Sequence, residues 1–149
     1  MKKIIILLST VFWGLNCFAQ TETKNKKHAT EDGVFTIVQE PAEFPGGIQG
    51  WMKYLQDSLN SNLASDYIKV PKGKKVGRVT VIVEFTIDKN GSVSNVTASE
   101  TIPKKIHPAF IAEAIRVIEK GPKWIPAKQD DKLVIFRHRQ SITWQVTEE

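Results

Sequence analysis

The spacing of apolar residues changes along the chain, and each change predicts an element. From Ile4 to Ala19 no residue is charged, and Met1-Lys2-Lys3 precedes this apolar run. Gln20 to Gly33 is polar without apolar periodicity, as in a flexible lead. Val34-Phe35-Thr36-Ile37-Val38 is β-branched and aromatic, which predicts a short strand; Pro41, Pro45, Gly46 and Gly47 then interrupt the chain. Ile48, Trp51, Met52, Leu55 and Leu59 recur at the spacing of one helix face, so a helix is expected with these residues toward the core. Asn60-Ser61-Asn62 closes it, and a loop is expected through Tyr67, Pro71 and Gly73 to Gly77.

The clearest strand follows. Val79, Val81, Val83, Phe85 and Ile87 alternate with Arg78, Thr80, Glu84 and Thr86, which lines one sheet face with apolar side chains; Ile82 alone breaks the pattern. Asp88-Lys89-Asn90-Gly91 predicts a hairpin turn, since Asn-Gly tolerates positive φ, and Ser92 to Ala98 predicts the returning strand. Pro108 suits a first helical turn and Gly121 a left-handed C-terminal cap, with Pro122 barring continuation. Between them Phe110, Ile111, Ala114, Ile115 and Ile118 form an apolar face. Trp124-Ile125-Pro126 leads to a last strand over about Leu133–Val146, with Val134, Phe136, Ile142, Trp144 and Val146 on one parity and His138 and Gln140 between them. The order helix, strand, strand, helix, strand predicts an α+β fold: a small three-stranded antiparallel sheet with two helices on one face. The last strand is expected at an open edge, where a partner strand can add.

Length and charge narrow the reading. The chain has 149 residues, enough for one domain with a self-sufficient core. Two lysines, an apolar run and small residues before Gln20 are the parts of a secretory signal peptide, and the run is shorter than the ~20 residues of a bilayer-spanning helix. Residues 1–19 are therefore read as a cleaved signal, 20–33 as the lead and 34–149 as the domain. Lipidation at Cys17 and retention as an anchor are the alternatives; Leu15-Asn16 fits lipidation poorly. Cleavage removes Lys2, Lys3 and the single cysteine, leaving 19 basic and 16 acidic residues, a formal charge of +3. Thiol redox chemistry is then excluded, and a periplasmic location follows.

The remaining polar residues suggest no active site. His107 precedes a helix start, where a turn or cap role is expected, and His138 lies between Arg137 and Arg139, which disfavours a metal ion. The Asp88 turn lacks the acid of a calcium loop, since position 97 is Thr. Gly73-Lys74-Lys75-Val76-Gly77 lacks phosphate-loop spacing and leads into a strand. Ser99 and Ser141 carry no nucleophile motif. No catalytic residue, cofactor or metal is expected. Lys72, Lys74, Lys75, Arg78, Arg137 and Arg139 read as a solvated basic edge; a charge of +3 without a recognition motif does not point to nucleic acid.

Four segments occur in an order that resembles the TonB C-terminal domain family. They are Pro41-Ala42-Glu43-Phe44-Pro45-Gly46-Gly47, Gly77-Arg78-Val79-Thr80-Val81, Ile87-Asp88-Lys89-Asn90-Gly91-Ser92-Val93 and Lys123-Trp124-Ile125-Pro126. The likeness spans about residues 34 to 146. It implies a periplasmic domain that captures an extended segment, the TonB box, of an outer-membrane TonB-dependent receptor or another envelope protein by strand addition. The segment is expected on the last strand, with Phe136, His138, Gln140 and Ile142 along it and Tyr67 nearby. Open edges also admit a second copy of the chain as a homodimer. Three features depart from the family: Tyr67 and Pro71 are separated where a Tyr-Pro pair is usual, the lead of residues 20–33 lacks a Pro-rich spacer and reaches under roughly 50 Å, and the N-terminus reads as a cleaved signal where full-length members have an anchor. The alternatives are a membrane-retained short energy transducer coupled to an inner-membrane motor complex, and an envelope scaffold or peptidoglycan-binding module.

Overall fold

The computed structural model describes residues 29–147 except 31 and 101–104. The expected signal peptide and most of the lead lie outside the described residues. The elements are β1 (Val34–Phe35), α1 (Gly47–Ser58), α2 (Asn62–Tyr67), β2 (Val76–Ile87), β3 (Val93–Ala98), α3 (Pro108–Glu119), β4 (Lys128–Gln129), β5 (Lys132–Leu133) and β6 (Ile135–Thr147). The α+β class is as expected, but the sheet has four strands in the order β1-β6-β2-β3, and three helices accompany it.

The added strand is β1, which pairs parallel to the start of β6 through Val34 with Ile135 and Phe35 with Phe136. The last strand is therefore not the sheet's terminal strand. β6 is sandwiched between β1 and β2 in order, although β1 covers only two of its residues. Along the other side, β2 and β6 pair antiparallel without interruption from Val76 with Thr147 to Ile87 with Phe136. This register puts Val79, Val81, Val83, Phe85 and Ile87 on the same face as Trp144, Ile142, Gln140, His138 and Phe136. Val81, Val83, Phe85, Ile87 and Ile142 are fully buried, and α3 adds Phe110, Ala114, Val117 and Ile118 to their core. Burying each Val, Ile or Phe among them contributes about 1.5–3 kcal/mol before entropy is counted. Alternation thus predicted the core face of the central strand correctly.

The expected loop through Tyr67 contains α2 instead, a helix of one and a half turns whose Ala64 is buried. So short a segment carries too little periodicity to be read from spacing. At the hairpin, Gly91 has φ 80° but Asn90 is not left-handed, so the turn is not the Asn-Gly type that needs two positive φ values. Asp88 organises it: its Oδ1 accepts hydrogen bonds from the Asn90 and Ser92 amides at 2.7 and 2.9 Å. A Cβ on Gly91 would overlap the carbonyl oxygen of Trp124. The two-residue left-handed turn occurs elsewhere, at Asp130-Asp131 (φ 51° and 57°), where it joins β4 to β5 in a hairpin too short for alternation to predict.

Helix α3 begins as expected. Pro108 is in its first turn, and His107 caps it by accepting the Ala109 amide on Nδ1 at 3.3 Å. Its end differs from expectation: Gly121 is not left-handed. Its advantage is small size, because a side chain there would crowd the carbonyl oxygens of Ile118 and Val117, 3.3 and 3.4 Å from a Cβ.

Candidate functional site

The Pro41–Gly47 and Lys123–Pro126 segments, far apart in sequence, lie side by side. Glu43 and Ile125 exchange backbone hydrogen bonds of 3.0 and 2.8 Å, and Glu40 and Lys128 exchange bonds of 3.1 and 2.8 Å. This pairing sets Phe44 against Trp51 and Trp124, with ring centroids 5.2 and 5.4 Å away. Trp124 in turn meets Phe85 at 5.3 Å and His138 at 4.9 Å. The aromatic cluster seats the start of α1 beside the middle of β6.

The end of α1 is tied separately. Tyr54 donates its hydroxyl to the Val117 carbonyl at 2.8 Å, and Arg116 donates to the Ser58 carbonyl at 2.7 Å. Arg116 also holds Glu113 in a two-point pair, with both contacts at 2.7 Å, and Glu113 accepts the Asn60 amide at 2.8 Å. The hydrogen bond from Arg116 keeps the Glu113 carboxyl below its ordinary pKa, and burial opposes this. The indole of Trp144 donates to the Asn60 carbonyl at 3.3 Å. Helix α1 is thereby fixed at both ends alongside β6.

Two depressions open between α1 and β6. The first, of about 270 Å³, is lined by Glu43, Phe44, Ile48, Trp51, Trp124, His138 and Gln140, among others. The second, of about 350 Å³, is lined by Met52, Leu55, Leu59, Ala64, Trp144 and neighbouring polar residues. Along β6 the first takes His138 and Gln140 and the second Thr143 to Gln145, and neither is lined by a residue of β2. Beyond Phe136, no strand pairs with the side of β6 away from β2 among the described residues, so alternate residues up to Thr147 turn their backbone amides and carbonyls toward an unoccupied edge.

The expected site residues are distributed unevenly around this edge. His138 and Gln140 line the first depression, and their side chains approach at 3.4 Å. Burial pushes the His138 imidazole below its ordinary pKa, against the opposing effect of the Gln140 contact, so the ring is neutral near pH 7. Phe136 and Ile142 are core residues, 8% and 0% exposed, leaving only their backbone for a partner. Tyr67 lines neither depression; it stacks on His107 with centroids 4.0 Å apart and meets Phe110 edge-on.

Ile48 and Met52 correct the helix expectation. They are 72% and 52% exposed, and each lines one depression. The missed signal was Tyr54: taken with Trp51 and Leu55, it rotates the buried stripe away from Ile48 and Met52. On the opposite sheet face, Glu84 lies between Arg139 at 3.2 Å and Arg137 at 3.4 Å, so these arginines neutralise a carboxylate there. A hydrogen bond from Ser99, followed by those two arginines, holds the Glu84 carboxyl below its ordinary range. Among the described residues, no cluster of His, Cys, Asp and Glu could hold a metal ion.

Residues 74–146 match the family described as Gram-negative bacterial TonB protein C-terminal. This stretch belongs to the TonB C-terminal domain family. The matched residues take in β2, β3, α3 and the strands through β6, whereas the Pro41–Gly47 loop, α1 and α2 precede them. No curated protein and no solved structure matches the chain. TonB C-terminal domains are periplasmic, non-enzymatic interaction domains that engage envelope proteins such as outer-membrane receptors. In this TonB C-terminal domain, no helix among the described residues is long and apolar enough to cross a membrane.

Proposed function

We propose that this domain is a periplasmic interaction module that takes an extended segment of an outer-membrane receptor, or of another envelope protein, as an added strand on β6. The unpaired edge of β6 beyond Phe136 carries the reading, because it runs beside fully paired sheet and two open depressions. Backbone hydrogen bonds along such an edge supply affinity with little sequence demand, and alternate side chains of the added strand supply choice. His138 and Gln140 contribute side chains to the contact, whereas Phe136 and Ile142 contribute backbone and hold the strand flat from beneath. Residues 1–19 direct export and are removed, which delivers the domain to the compartment where such segments are exposed.

Amide hydrogen exchange tests the proposal. In the free protein, alternate amides between residues 137 and 147 should exchange quickly while their neighbours, bonded to β2, are protected. A receptor segment at saturation should slow the fast set. If these amides are unchanged with the segment bound, strand addition to β6 is wrong.

A further inference from the structure

A strand added to β6 would turn every second side chain toward α1, on the face shared by His138, Gln140, Ile142 and Trp144. The first depression lies level with residues 138–140 and the second with 143–145, so their centres are about five residues apart along β6. At about 3.4 Å per residue this is roughly 17 Å. Side chains on one face of a strand are separated by even numbers of residues, so four or six residues bridge the two depressions, whereas three or five cannot.

The two linings differ in charge. Around the second, Met52, Leu55, Leu59, Ala64 and Trp144 supply apolar surface, with Gln, Ser and Thr as the only polar types and no ionisable group. The first has the exposed carboxylate of Glu43 at its margin, beside aromatic walls and the amide of Gln140. Among the described residues no cation pairs with Glu43, whereas its neighbour Glu40 is paired with Lys128 at 3.1 Å. No lysine or arginine lines either depression.

Resting on the strand-addition reading above, we infer that the preferred partner segment carries a lysine or arginine for the first depression and a large aliphatic residue for the second, four or six residues apart. The basic side chain lays its methylene stem along Ile48 and the aromatic walls and brings its charge to Glu43. The aliphatic side chain fills the space beside Met52 and Leu59. This arrangement makes the edge polar, so it selects the direction of the incoming strand as well as its composition.

Acetylated and amidated Ser/Thr nonapeptides with one Lys and one Leu test the inference on the ¹⁵N-labelled protein, each peptide made in both residue orders. Spacings of four or six should bind at least tenfold tighter than isomers of identical composition spaced at three or five, for one order of the pair. Leu→Ala in the peptide should weaken binding about tenfold or more. Lys→Glu should weaken it about two- to fivefold, as for an exposed ion pair, and E43Q should erase that difference while retaining the leucine effect. Equal binding of even and odd spacings, with amides of residues 137–147 perturbed, would overturn the inference and leave strand addition standing. A Lys/Glu difference that survives in E43Q would overturn the charge assignment. Absence of any perturbation at residues 137–147 with every peptide and with a receptor segment would remove both.

Discussion

His138 lies on the buried side of β6 against Trp124, Phe85 and Phe136, with ring centroids 4.9, 5.3 and 5.8 Å away. Desolvation lowers its pKa in the folded protein, so the unfolded chain takes up its proton first as pH falls. Stability is therefore lost as pH drops through the ordinary histidine value of about 6.5, and the loss levels off once the folded ring also titrates. The carboxylates with lowered pKa, Glu84 and Glu113, act in the same direction but at more acid pH. Thermal melts between pH 7.5 and 5.5 should show a steeper decline in Tm for the wild type than for H138Q. Equal slopes would mean that this imidazole is not buried in its neutral form. The parity of His138 with Phe136 and Ile142 was legible from alternation. The aromatic partner Trp124 was not, because it comes from a distant segment whose approach depends on the Glu43–Ile125 pairing.

Among the elements, the β2–β3 hairpin separates the roles of adjacent turn residues. Only Gly91 is left-handed, and its neighbour is the Trp124 carbonyl, whose residue also donates an amide to the Gly91 oxygen at 2.9 Å. Gly91→Ala should cost at least about 2 kcal/mol in urea unfolding, combining a left-handed φ with the overlap at Trp124. Asn90→Ala should cost under about 0.5 kcal/mol, because its side chain has no left-handed conformation to support. A comparable loss at both positions would restore the Asn-Gly turn expected from the dipeptide. Helix α1 illustrates another limit of periodicity. Its apolar positions spread over more than one face, and the buried part is the one that holds Tyr54 against α3. Spacing therefore predicted the helix but assigned Ile48 and Met52 to the core instead of the groove.

At the scale of the whole molecule, the proposed export signal and the proposed binding edge are separate in sequence, so each can be tested alone. Export should remove residues 1–19, so intact-mass and N-terminal analysis of protein recovered from the periplasm should give a chain starting at Gln20 without cysteine. A Met1 start or an acylated Cys17 would redirect the reading to a membrane-held form. The sequence by itself determined the α+β class, the core face of β2, the start of α3 and the three segments that fall inside the family match, because these depend on local spacing and turn chemistry. Tertiary structure decided the rest. β1 joined the sheet because two residues, Val34 and Phe35, found partners about 100 positions away at Ile135 and Phe136, which no local pattern encodes. The same long-range pairing covered one side of β6 at its beginning and left that side free over the rest of the strand, so the length and location of the free edge emerged only when distant segments met.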